Sequence, residues 1–182
     1  MSSTSAPGVL AIVQDFVNTV AIERAADPLN ADDSLPGWCT STGLCPAIDQ
    51  AGLRQLREFR EALRGVLEAN AGDGEATERW SALEPFAGRA GYKMYITPAG
   101  VPALRPEGSG ADAAIAAVLA IVYDAIGNGT WVRLKACRKR SCRWAFYDKS
   151  KNGSGAWCSM QVCGNRAKAE RRRAREKSHG LP

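Results

Sequence analysis

The chain has 182 residues and a mass of 19.5 kDa, the length of one domain or of a medium core carrying a small appended module. With 45% hydrophobic and 24% charged residues it shows neither the apolar depletion nor the charge extreme of a disordered chain, and collagen-like and coiled-coil rods are excluded. The net charge of +5 conceals a division: residues 1–130 hold 9 Lys+Arg against 16 Asp+Glu, whereas residues 131–182 hold 15 against 3. An acidic body of charge −7 joined to a basic tail of +12 points to a polyanion met by the tail alone, because the same phosphates repel the body.

After a polar lead, apolar residues from Val9 to Ala21 recur at spacings of three and four, predicting an amphipathic helix that ends near Ala26. Asp27 to Pro46 is rich in Pro, Gly and Asn and reads as loop, with a short turn of helix around Trp38. Ile48, Leu53, Leu56, Phe59, Leu63, Val66 and Leu67 mark a second helix, capped by Asp49 and ended by Gly72-Asp73-Gly74, whose other face carries Arg54, Arg57, Glu58, Arg60, Glu61 and Arg64. A shorter helix is expected over Glu75 to Phe86. The period then changes to two: Tyr92, Met94 and Ile96 alternate with Lys93, Tyr95 and Thr97 before Pro98-Ala99-Gly100, and Val101 to Leu104 return as the second strand of a hairpin. An Ala-rich helix from Asp112 to about Ile126 follows, closed by Gly127-Asn128-Gly129, where charge sign and cysteine density both change. The boundary is therefore expected there, between a body over 9–129 and a module over 130–178.

The longest apolar run, Ala113 to Tyr123, is well short of the roughly 20 residues a membrane span needs and reads as a buried helix. Met1 to Gly8 carries no basic stretch and Asp15 interrupts the apolar residues after it, so a cytoplasmic protein with no membrane partner is expected. The only histidine is His179, and no Ser/His/Asp or Cys/His set, phosphate loop or dinucleotide fingerprint is present, so no enzyme is expected.

Four of the six cysteines lie in the basic module as Cys137-x4-Cys142 and Cys158-x4-Cys163, with 15 residues between the pairs. Two short-spaced pairs separated this way suit a tetrahedral four-thiolate Zn2+ site, each sulfur about 2.3 Å from the ion and no position left open for catalysis. The competing reading is a pair of disulfides or buried thiols. Trp131, Arg133 and Lys135 before the first pair and Trp144 and Phe146 after it predict a hairpin with Arg138-Lys139-Arg140-Ser141 at its turn. Cys158 and Cys163 then fall at the start of the terminal helix. Cys39 and Cys45 have no further Cys or nearby His to complete a ligand set and read as two partly buried thiols, the alternatives being a redox switch or a metal half-site.

Asn165 to Lys177 is strongly helix-prone, with Cys163, Ala167 and Ala174 as its narrow apolar stripe. Seven cations, among them Arg166, Lys168, Arg171, Arg172, Arg173 and Arg175, surround it against Glu170 and Glu176. Phosphate relieves their mutual repulsion, so these side chains, with Arg138, Lys139, Arg140 and Arg143 at the knuckle, are the candidate nucleic-acid contacts. DNA and RNA stay open, because Trp144, Phe146 and Trp157 can stack on bases or pack a small core. One finger touches few base pairs, so a homodimer is the default. In the body, Asn18 and Thr19 sit mid-helix among apolar neighbours, where such side chains need partners. Arg57 and Arg60 can supply them near Trp38, making either an interhelical clasp or a pocket for a small-molecule effector.

The stretch Trp157-Cys158-Ser159-Met160-Gln161-Val162-Cys163-Gly164-Asn165-Arg166, preceded by Cys137-x4-Cys142 and Phe146-x-Asp148, resembles the CGNR zinc finger, named for Cys163-Gly164-Asn165-Arg166. Asp15-Phe16-Val17-Asn18-Thr19, Trp38 and Leu56-Arg57-Glu58-Phe59-Arg60-Glu61-Ala62-Leu63 are similar to the ABATE domain that precedes that finger in its family, with Cys39 and Cys45 falling at variable or aliphatic positions. The resemblance spans about Val9 to Lys177 and implies a stress-induced transcription regulator that binds DNA through zinc. The expected fold is α+β and mainly α: a helical body with one small hairpin, then a treble-clef-like four-cysteine finger with a basic C-terminal helix.

Overall fold

A computed structural model describes residues 5–20, 34–44 and 48–179, and the chain is mainly helical. The first apolar stripe forms α1, Leu10–Val17, with Leu10, Val13, Phe16 and Val17 buried. It stops sooner than its periodicity predicts, because Asn18 is drawn off to bond elsewhere; the expected continuation to Ala26 lies mostly outside the described residues. Part of the predicted loop is α2, Leu35–Thr42, started by Pro36 and ended by Gly43 in the left-handed region. The central element is α3, Gln50–Asn70, whose N-cap Asp49 accepts the Gly52 amide at 2.7 Å.

The single helix expected over Glu75 to Phe86 is two, α4 (Ala76–Ser81) and α5 (Glu84–Ala87), because Pro85 restricts the residue before it and supplies no amide to the preceding turn. Strands β1 (Gly91–Ile96) and β2 (Pro102–Glu107) form the predicted antiparallel hairpin, with Met94 opposite Leu104. Helix α6, Gly110–Gly127, is long and apolar enough by length and composition to cross a membrane, yet Ala114, Ile115, Val118, Val122 and Ala125 are buried in the same core as α1 and α3.

After a turn of 3-10 helix at Trp131–Arg133 come β3 (Leu134–Ala136) and β4 (Ala145–Tyr147), paired antiparallel so that Leu134 faces Tyr147 and Lys135 faces Phe146. Side chains alternate across a strand, and the two faces of this ribbon meet different cores. Leu134, Ala136, Ala145 and Tyr147 belong to the main core with Phe16, Phe59 and Leu63. Phe146 packs instead with Cys137, Cys142 and Cys163. A π-turn at Met160–Gly164 then leads into α7, Asn165–His179.

Polar bonds fix the ribbon to the helices. Asn18 binds both backbone groups of Ala145, accepting its amide at 2.8 Å and donating to its carbonyl at 2.9 Å, and Gln14 donates to that carbonyl as well. Asn70 donates to the carbonyls of Trp131 and Leu134. Arg64, placed by periodicity on the outer face of α3, is fully buried. Its guanidinium donates to the Val17 carbonyl at the end of α1, to Arg143 O at 3.0 Å and to Glu61 on its own helix. Breaking such a set leaves buried carbonyls and a carboxylate without their donor. Arg64→Met is expected to lower the unfolding free energy measured in urea by about 3–5 kcal/mol. Arg64→Lys should recover less than half of that, since an ammonium cannot present a planar fork to three acceptors.

Candidate functional site

The four sulfurs of Cys137, Cys142, Cys158 and Cys163 all lie within 4.8 Å of one another. Cys142 Sγ is 3.6 Å from Cys158 Sγ, which is 3.7 Å from Cys163 Sγ. A tetrahedron with metal–sulfur bonds of about 2.3 Å has edges of about 3.8 Å, so the donor set fits one tetrahedral thiolate-bound cation. Hydrogen bonds from the Cys142 and Cys158 thiols pull Cys137 down to about 2, and its thiolate in turn pushes Cys142 up to about 12 and Cys158 higher still. A bound divalent ion would stabilise all four as thiolates.

Each ligand is held by a different local device. Cys137 leaves β3 with its amide on Trp144 O at 3.0 Å, and the Cys142 amide turns back to Lys139 O at 2.8 Å. Arg143 then adopts φ +50, the one non-glycine among the described residues in the left-handed region. That conformation costs about 1–3 kcal/mol and persists because both ends of the residue are tied down: Arg64 binds its carbonyl and Glu68 its guanidinium. At the second pair, Ser159 Oγ caps the π-turn by accepting the Val162 amide, and Gly164 leaves room for Met160 and Trp157: a Cβ there would collide with Met160 Sδ and stand 3.3 Å from a Trp157 ring carbon. Trp144, Trp157 and Val162 cover the sulfurs.

The connection between the pairs is secured by an internal ion. Lys135 Nζ is 2.8 Å from Asp148 Oδ2, and both residues are about 95% buried. Lys135 also donates to the carbonyls of Gly153 and Gly155, while Asp148 accepts the amides of Ser150 and Gly155 at 3.0 and 2.7 Å. Burial opposes ionisation of Asp148, but the Lys135 ammonium and the Ser150 and Gly155 amides hold its carboxyl well below the usual carboxylate range. A Cβ at Gly155 would stand 2.8 Å from the same carboxylate, so only glycine closes this loop.

The candidate nucleic-acid residues separate into two groups. Arg166, Lys168, Arg172, Arg173 and Arg175 are exposed on α7, whose buried contact is Ala167, and the Arg171 side chain lies outside the described residues. Arg138, Arg140 and Arg143 line a cavity facing the body. There Arg138 donates to the Ala71 carbonyl and Arg143 pairs with Glu68, while Lys139 is half-buried.

Residues 10–127 match the family described as "Putative stress-induced transcription regulator", ABATE, and residues 133–176 match the CGNR zinc finger. The chain belongs to the ABATE family. A comparison with curated proteins finds no match. Within the ABATE body, the proposed pocket residues each have a place in the packing. Asn18 is bound to Ala145 of the CGNR finger; Trp38 donates to Ile12 O and packs tilted against Phe16, ring centroids 4.8 Å apart. Arg60 donates to Thr19 Oγ1 at 2.8 Å, and Arg57 is half-buried on α3. Cys39 is buried and disulfide-bonded rather than a free thiol, and Cys45 lies outside the described residues. Sequence reasoning missed Gln14, Arg64, Glu68 and Asn70. The spacing Arg57, Arg60, Arg64 repeats three and four like the apolar stripe beside it, and was the available signal for a buried arginine ladder.

Asp148→Ala leaves the Lys135 ammonium buried without its counter-charge and is expected to cost about 3–5 kcal/mol in chemical denaturation. Adding Lys135→Met should restore most of it. Because the folded carboxyl titrates lower than the unfolded one, its contribution is complete above about pH 4 and is lost as pH falls further. The acid limb of the stability curve should accordingly flatten in the double variant.

Proposed function

We propose that the protein is a non-enzymatic, cytoplasmic transcription regulator that binds DNA as a homodimer through its CGNR finger, in a treble-clef-like arrangement around structural Zn2+. The observation that carries this reading is α7: a helix that follows Cys163 of the cysteine cluster, presents at least five exposed cations and, among its described side chains, buries only Ala167. Arg172 pairs with Glu176 at 3.2 Å, but both side chains are exposed and such a pair is worth little in water. Phosphates supply the missing counter-charge. The acidic body repels the same duplex, which confines contact to the finger.

Within the finger, zinc fixes the knuckle and the π-turn, and so the direction in which α7 leaves the molecule. Arg166 and Lys168 on its first turn and Arg172, Arg173 and Arg175 beyond it contact the sugar-phosphate backbone. The knuckle arginines, turned toward the body, contribute less. The homodimer follows from the short reach of one helix, since operator-level selectivity needs two half-sites.

The metal part is checked by elemental analysis: about one zinc per chain is expected, and Cys158→Ala should lose it. Zinc retained when Cys158 and Cys163 are both replaced rules out the four-thiolate site. For DNA, neutralising about six phosphates gives a slope near −5 in log K against log salt. Replacing Arg172, Arg173 and Arg175 by Gln should flatten that slope by about 3, and an unchanged slope would exclude α7 as the contact. Preference for single-stranded or duplex RNA in competition at fixed salt would move the reading to RNA.

A further inference from the structure

The knuckle and the end of α3 enclose a cavity of about 380 Å³ lined by Glu68, Asp73, Arg79, Cys137, Arg138, Arg140 and Arg143. Its volume is at the small end for a ligand site. Four guanidinium groups face Glu68 and Asp73, with Glu61 3.9 Å from Arg143 and Cys137 on the wall. Glu68 is already shared between Arg143, at 2.5 Å, and Arg79, at 3.5 Å.

The arginines are seated by glycines. A Cβ on Gly65 would stand 3.2 Å from Arg79 Cδ, and one on Gly74, at φ +97, would stand 3.3 Å from Arg79 Nε. A Cβ on Gly72, at φ +75, would stand 2.5 Å from Arg138 Nη2. Three missing side chains thus make the slots in which two guanidinium groups lie against the backbone. Arg138 also donates to the Ala71 carbonyl, covering the negative end of α3 that would otherwise repel an anion. Among the described residues Arg140 forms no hydrogen bond or ion pair, and it lies on the cavity wall.

We infer that this cavity, between the ABATE body and the zinc knuckle, binds a small molecule through its terminal phosphate. A terminal phosphate presents three free oxygens to such a ring of donors, whereas a nucleic-acid phosphodiester presents only two. Tetrahedral oxygens accept from several planar guanidinium forks at once, which point cations cannot reproduce. The ligand would bridge Arg79 of the body to Arg138 and Arg140 of the knuckle, joining the two halves through one ion.

The test uses the full zinc-loaded chain and inorganic phosphate, titrated at constant ionic strength against chloride and read by 31P line broadening. Saturable one-site binding is expected. Arg79→Gln with Arg140→Gln should weaken it at least about tenfold at unchanged zinc content and circular dichroism, since charge-assisted bonds are lost. Asp73→Asn should strengthen it, a gain that misfolding cannot mimic. Absence of saturation, or equal affinity in the double variant, overturns the proposal. The α7 variant lacking Arg172, Arg173 and Arg175 should still bind phosphate, which separates this site from the DNA reading: loss of phosphate binding there assigns the anion to the helix and overturns the cavity. Displacement of duplex DNA from the parent by phosphate would place a backbone diester in the cavity and overturn the terminal-phosphate assignment.

Discussion

The structure depends on one buried cation. Arg64 stands in the second half of α3 with no exposed surface, and its guanidinium reaches the end of α1, the carbonyl of Arg143 next to Cys142, and Glu61. Burial makes ionisation unfavourable and lowers its proton affinity, which the neighbouring Glu61 carboxylate opposes. The arginine stays charged because three acceptors surround it. Removing any one acceptor would weaken the other two contacts, so the helix end, the left-handed turn and the long helix have to form together.

The turn that Arg64 stabilises is also where the first cysteine pair closes. Arg143 can hold its unusual backbone conformation because it is gripped at its carbonyl and at its guanidinium, and that conformation aims Cys142 at the cluster. The geometry of the metal site is therefore set partly by residues 75–80 positions earlier in the chain. Lys135 and Asp148 do the corresponding work for the far side, pinning the loop that delivers Cys158. One grip faces the body and the other faces the interior of the finger.

What could be read from residue order was what is local. Helix α3 with its Asp49 cap, the β1–β2 hairpin, the apolar α6 and the four-cysteine set all announce themselves through spacing within a few residues. What could not be read was which polar side chains face inward. Arg60, Arg64 and Glu68 occupy a stripe that looks solvent-directed when α3 is considered alone, and only the ribbon of residues 134–147, folded against it, turns that stripe into an interior. The same applies to the knuckle: Arg138 and Arg143 look like free cations for a polyanion until α3 is placed beside them. Early termination of α1 has this cause too, since Asn18 satisfies an edge of β4 that lies more than a hundred residues away.

Strands β3 and β4 are three residues long and buried on both faces, one face in the helical core and the other against the cysteines. Small metal-bound modules elsewhere can be exchanged between unrelated proteins because their only debt is to their ion. This one also completes its neighbour's interior, with Leu134, Ala145 and Tyr147 filling space that would be empty without them. Gene rearrangement could not graft it onto a foreign partner without stranding those side chains, nor could the helical half lose it and keep a closed core. The two halves share one interior, so a change at either surface is felt at the other.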